Sequence, residues 1–278
     1  MLFMVAALAP FGLGVLLAAA SGFIVRGPVL AAEILTVAAL TLAGLAGREA
    51  YAPLSGRCPS WGRLDGDSWK RLACVCLILA GVLVFLLQWL WQTGDFTLPL
   101  AAVGILGGYF IFVPPLIWYR RGWGEFWGGL CFGLVPVLTG FYLQSRYFIS
   151  EILLYGVPLS LAAFNLFLLL GFPEPGAEMG GERLTLAARL NPVGAALLYT
   201  IVNILVILAL VGNLFFPAAG TFRQPWLWAM ILLALVNQEL VKRRAYYQAA
   251  RLRLLCFLTL ALHLGMNLAF AVGLWVRL

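Results

Sequence analysis

The chain has 278 residues, of which 63% are hydrophobic and 10% charged, with a formal net charge of +7 and a mean hydropathy of +0.99. A water-soluble surface needs roughly a quarter of its residues charged, so this composition excludes a soluble domain and points to a chain dissolved in lipid. The 18 Lys and Arg residues are scattered among short loops and form no continuous stripe, which excludes nucleic acid as the reason for the positive charge.

A run of about 20 apolar residues crosses the hydrocarbon layer, and a helix is the open segment that satisfies its own backbone there. In chain order, such runs cover 2–25, 28–47, 72–91, 97–118, 122–143, 148–172, 193–216, 225–240 and 254–275. The expected fold is all-α and integral to the membrane: a single domain over 1–278, built as a bundle of about nine transmembrane helices. The first run lacks the basic stretch that opens a cleavable signal and is expected to be the first span. Pro10, Gly12, Gly14, Pro114, Pro115, Gly133 and Pro136 fall inside runs and predict kinks or close helix approach. Two connections are long, about 48–71 and 173–192.

The loops after the second, fourth, sixth and eighth runs hold 14 of the basic residues, including Arg48, Arg57, Arg120, Arg121, Arg183, Arg189 and Lys242. The termini and the remaining loops hold 4: Arg26, Arg146, Arg223 and Arg277. By the positive-inside rule this bias places the long loops in the cytoplasm and both termini outside, in a multi-pass protein of the cell membrane. Trp89, Trp91, Trp118, Tyr119, Trp226, Trp228 and Trp275 lie at run ends, where an interfacial aromatic belt is expected. Of the five cysteines, Cys74, Cys76, Cys131 and Cys256 lie in apolar runs and are expected to be small buried hydrophobes, with Cys58 in a loop. His263 is the sole histidine, so no histidine-based metal cluster is available.

The stretch richest in chemistry joins the sixth run to its loop: Asn165, then Glu174 and Glu178, then Arg183, Thr185 and Arg189. Mg²⁺ takes hard oxygen ligands and commonly bridges carboxylates to phosphates, while Arg pairs with outer phosphate oxygens. The same spacing is also that of a solvated loop of mixed charge, and Pro175 prevents an ideal helical pairing of the two acids. Glu33 is expected at the interface near the outer end of the second run, and Glu125 is expected to pair with Arg120 or Arg121. Asn165, Asn203 and Asn267 are expected to hydrogen-bond between helices.

The segment from Glu174 to Leu190 resembles the second acidic motif of the UbiA superfamily of intramembrane prenyltransferases, in particular its dihydroxynaphthoate prenyltransferase branch, which serves menaquinone biosynthesis. Relatives carry a DxxxD pair, a GKRTL-like turn and an Arg-Leu-Gly ending; Glu174 and Glu178 fall on the acids, Arg183 on the lysine, Thr185 on the threonine and Arg189-Leu190 on the ending. Gly108 to Leu116, Arg120 to Glu125 and Gly133 to Gln144 also resemble the family's middle region. The resemblance implies transfer of a prenyl group from a polyprenyl diphosphate to a lipid-soluble aromatic acceptor. It implies Mg²⁺ on Glu174, Glu178 and Glu49, the diphosphate on Arg183, Arg189, Arg57 and Arg120, and a substrate pocket with Asn165, Tyr109 and Tyr142.

The sequence also departs from the pattern. The family's first motif, NDxxD-like, falls near Ala43 to Tyr51, where Glu49 is the one acid; Asp65 and Asp67 lie further on, at a different spacing. The lysine that often follows the Pro-Pro-Leu turn is Ile117 here. Three functions are therefore carried forward: an active prenyltransferase, a catalytically silent isoprenoid-binding relative, and a small transporter or assembly subunit.

Overall fold

The computed structural model describes residues 2–51, 65–172, 185–215, 225–276 and 278. Among these residues the regular structure is helical, with no strand: α1 (Leu2–Ala20), α2 (Gly27–Ala50), α3 (Gly66–Trp89), α4 (Thr97–Gly108), α5 (Gly124–Phe132), α6 (Leu134–Ser145), α7 (Glu151–Leu170), α8 (Leu186–Arg189), α9 (Asn191–Phe215), α10 (Pro225–Lys242) and α11 (Ala249–Trp275). Among them, six stretches are long and apolar enough to cross a membrane: Gly27–Ala50, Gly66–Trp89, Gly124–Ser145, Glu151–Leu170, Asn191–Phe215 and Ala249–Trp275. Shorter apolar helices run over Met4–Ala20 and Thr97–Ile111. α10 has 18 residues but carries Asn237, Gln238 and Glu239 near its end.

The nine expected spans thus resolve into six of full length and three lesser helices. The fourth differs most, because helix continues only through a 3-10 turn at Tyr109–Ile111. Pro114 and Pro115 follow; proline has no N–H to donate and pushes the residue before it out of the helical region, so the chain to Trp123 folds as turns instead. The fifth span is divided at Gly133. A Cβ there would collide with Ser160 of α7, and the Ser160 hydroxyl accepts the Leu134 N–H at 2.8 Å. Ser160 thereby satisfies a donor at the break that lipid could not.

Helix packing relies on small residues. α1 and α6 touch backbone to backbone, since a Cβ at Gly14 would fall on the Val137 carbonyl and one at Gly140 on the Phe11 carbonyl. The main core gathers Leu13 and Leu17 of α1, Val137 and Phe141 of α6, Tyr155 and Leu159 of α7, Val206 of α9 and Met266 and Phe270 of α11. Polar side chains between α7, α9, α10 and α11 tie these helices together. Asn165 donates to the Tyr199 carbonyl at 3.3 Å, Asn203 to the Ala234 carbonyl at 2.9 Å, and the Tyr199 and Thr259 hydroxyls meet at 2.8 Å. Asn267 differs from expectation: it bonds within its own helix, to the His263 carbonyl. Among the cysteines, Cys76 is buried, Cys131 and Cys256 are partly so, and Cys74 is exposed, contrary to the expected burial.

The contacts define two ends of the bundle. At one, Tyr119 donates to the Leu170 carbonyl, Thr185 donates to the Gly171 carbonyl, and the Phe172 ring lies 5.8 Å from that of Tyr246. This is the basic end, with Arg120, Arg189 and Lys242. At the opposite end the Arg26 guanidinium donates to the carbonyls of Trp91 and Leu143, and Phe96 packs on Tyr142 and Phe148. Trp89, Trp226, Trp228 and Trp275 are exposed there, as a belt requires, whereas Tyr119 is buried and serves as a tie between elements.

Candidate functional site

α1 to α6 surround a cavity whose empty space, including its open mouth, is about 1070 Å³. One face of α2 runs along it: Glu33, Thr36, Val37, Leu40, Thr41, Gly44, Leu45 and Arg48, a spacing of three to four residues throughout. At 1.5 Å per residue, Glu33 and Arg48 stand roughly 22 Å apart along the axis, so the cavity reaches through most of the bilayer core. Phe11, Val84, Leu87, Leu100, Ile111, Phe132, Val135 and Leu143 make the remaining wall mainly apolar.

The two ends of the cavity differ. At the basic end Arg48, half-buried, holds its guanidinium 5.8 Å from the centre of the Phe112 ring, so a cation stands at the mouth. At the far end Leu87, Thr97, Leu143 and Glu33 are all buried. Glu33 is 1% exposed, so the expectation of an interfacial residue is corrected: Gln144 of α6 donates to its Oε2 at 2.9 Å and covers it. Gln144 in turn accepts the Arg26 backbone N–H at 2.9 Å. Burial, then the adjacent Arg146, hold the Arg26 guanidinium below its ordinary pKa, against the opposing pull of Glu33.

The residues singled out from the sequence are spread more widely. Glu174, Glu178, Arg183 and Arg57 lie outside the described residues. Glu49 is buried on α2 but is not part of the cavity wall, while the neighbouring Arg48 is. Arg120 and Arg189 are brought together at the basic end: Arg189 donates to the Arg120 carbonyl at 3.4 Å and its side chain lies along Gly122. Tyr109 sits between α2 and α3, against Ala46, Trp69 and Gly47. Asn165 faces α9 through Tyr199. Tyr142 lies at the opposite end, its hydroxyl accepting the Phe96 N–H at 3.0 Å. Asn165, Tyr109 and Tyr142 are thus outside the cavity wall.

Glu125 does not meet the expectation of an ion pair with Arg120 or Arg121. It is fully buried, and its Oε1 accepts the Leu186 N–H at 3.1 Å, so α5 holds the start of α8. Thr185 caps the same turn, accepting the Ala188 N–H at 3.2 Å while donating to the Gly171 carbonyl at 3.1 Å. Positions 171 and 185 are therefore fastened side by side at the basic end of the bundle.

Among the described residues no three His, Cys, Asp or Glu side chains come together as a metal site. Of the three carboxylates expected on Mg²⁺, Glu49 alone is described. Where the first acidic motif was sought, Ala43 and Ala46 are both fully buried, and Ala46 packs on Trp69 and Ala73. The α2 face as a whole went unread in the sequence, where Glu33 and Arg48 were named separately, although Glu33, Thr36, Thr41 and Arg48 share one helical face and that periodicity was available.

Among solved structures the chain is similar to the apo structure of a UbiA homolog from Aeropyrum pernix K1, with a TM-score of 0.65 over 96% of this chain and 97% of that one. The chain has the fold of that UbiA homolog. At 15% identity the likeness is one of fold. No protein-family profile matches the sequence, and no curated protein matches it.

Proposed function

We propose that the protein is a UbiA-like membrane prenyltransferase that moves a prenyl group from a polyprenyl diphosphate to a lipid-soluble aromatic acceptor of the quinone-precursor kind. The observation that carries this reading is the cavity: mainly apolar, reaching through most of the bilayer core, and with the Arg48 cation at its basic end, within the fold of a UbiA homolog. A long isoprenoid chain fits such a wall, because an apolar tube offers it no hydrogen-bonding competitor and excludes water from a reacting allylic centre. The diphosphate is proposed to be held by Arg48, Arg120 and Arg189 at the basic end, with Arg57 and Arg183 as further partners from the loops. Glu174 and Glu178, with Glu49, are the acids proposed to hold Mg²⁺, which when bound would neutralise charge gathering on the leaving diphosphate. Glu125 and Thr185 position the loop base that carries these acids.

The test is transfer of a radiolabelled prenyl group by the purified protein to quinone precursors, with Glu174→Ala and Glu178→Ala alongside. Loss of turnover in both variants is expected; turnover indifferent to either substitution rejects the acid assignment. A second reading, an isoprenoid-binding relative without catalysis, is favoured by the packed alanines Ala43 and Ala46 where acids were sought. Tight, magnesium-independent binding of the prenyl diphosphate without turnover would establish it. Substantial solute flux in proteoliposomes would replace both with a transporter.

A further inference from the structure

The Glu33 end of the cavity is chemically unlike the rest of its wall. Glu33 lies in the first third of α2, and its two carboxyl oxygens are not equivalent. Oε2 accepts from the Gln144 amide at 2.9 Å, whereas Oε1 is buried and has no hydrogen-bond partner among the described residues. The orientation of Gln144 is not free to change, because its oxygen is already engaged by the Arg26 N–H at 2.9 Å, leaving the amide N–H groups to face Glu33. The nearby Arg26 guanidinium is turned to the carbonyls of Trp91 and Leu143 and makes no hydrogen bond to Oε1. One turn along α2, Thr36 also lines the cavity; its hydroxyl hydrogen is committed to the Ala32 carbonyl at 2.7 Å, so its oxygen presents lone pairs.

A buried carboxyl oxygen without a partner costs several times what a satisfied one does, and in a membrane span it marks a functional position. We infer that Glu33, oriented by Gln144 and joined by Thr36, forms a hydrogen-bonding terminus that receives a hydroxyl group at the distal end of a long apolar ligand. The chemistry selects a hydroxyl because the terminus offers acceptor oxygens inside an otherwise apolar enclosure. A methyl end leaves Oε1 unsatisfied, and an anionic end would lose its hydration to face acceptor oxygens. The distance also constrains the ligand: its two polar ends stand roughly 22 Å apart, one beside Arg48 and the other at Glu33. This terminus is independent of the diphosphate and of catalysis.

The experiment is competition binding by the full-length protein in nanodiscs, using three probes of equal chain length: a long-chain n-alkane, the corresponding primary alcohol, and a methyl ether of that length, which accepts but cannot donate. The alcohol is expected to bind about tenfold more tightly than the alkane, the value of one buried hydrogen bond, with the ether resembling the alkane. In Glu33→Leu, which keeps the bulk and removes the acceptor, the preference for the alcohol should vanish while alkane affinity is retained, which also shows that the variant folds. Equal binding of alcohol and alkane by the unsubstituted protein overturns the inference, as does a preference that survives in Glu33→Leu. A protein that shows the alcohol preference but no prenyl transfer would remove the catalytic reading and leave this terminus standing.

Discussion

Replacing Glu125 by Ala should loosen one amide in particular. The Glu125 carboxyl is fully buried at the start of α5 and accepts the Leu186 N–H at 3.1 Å, across 61 residues of sequence. A hydrogen bond to a buried carboxyl contributes about 1–3 kcal/mol, so its loss predicts a fall of roughly 5- to 140-fold in protection of the Leu186 amide. The global effect should be smaller, because the substitution also removes Oε2, which is buried without a partner among the described residues. Glu125→Gln keeps an acceptor oxygen and should preserve most of the protection. Hydrogen–deuterium exchange of the protein in detergent, followed on peptides covering 185–190, reads this directly. If Glu125→Ala leaves exchange at Leu186 unchanged, α5 does not hold the base of the loop, and the positioning role given to Glu125 fails with it. If protection falls but prenyl transfer is untouched, the loop base is anchored there without bearing on the reaction.

Three other outcomes follow from the geometry. Gly140→Val puts side-chain atoms onto the Phe11 carbonyl and should destabilise the α1 to α6 contact by about 1–3 kcal/mol in thermal unfolding, whereas Gly212→Ala, with open space around it, should be neutral or slightly stabilising. Ser160→Ala leaves the Leu134 N–H at the Gly133 break without its acceptor, and a loss of about 1–2 kcal/mol is expected in reversible unfolding in mixed micelles; stability equal to the unsubstituted protein would mean that another group takes the bond. Arg48→Gln removes the cation at the cavity mouth and should weaken binding of a prenyl diphosphate about tenfold or more while leaving an uncharged prenyl alcohol within twofold, as measured by competition; equal weakening of both would place the diphosphate elsewhere.

How much of this was readable in advance depends on the range over which each feature is decided. Helix ends are local. The runs at 28–47, 148–172, 193–216 and 254–275 correspond to α2, α7, α9 and α11 within a few residues, because a span must satisfy its own backbone and its length is set by the bilayer. The Pro114-Pro115 pair could have been read as the end of the fourth helix rather than a kink within it, since two successive residues without an N–H leave no ladder to continue. The aromatic belt failed at Tyr119 for a different reason: position in a run says nothing of what lies opposite, and here the Leu170 carbonyl does.

The site shows the same division. Which residues of α2 share a face follows from helical periodicity alone, so Glu33, Thr36, Thr41 and Arg48 were in principle visible as one stripe. That this stripe faces a cavity, and that Glu33 is buried under Gln144 from 111 residues away, depends on how six helices meet. Glu125 and Leu186, or Asn165 and Tyr199, are likewise joined by packing that no spacing rule encodes. By itself, then, the sequence determined a lipid-dissolved, all-helical chain with one basic end, since hydropathy, length and charge act along a single strand of polymer. Which faces close on one another, and so where a polar group is hidden or offered to a ligand, was decided only by the tertiary structure, because burial is a property of pairs of helices.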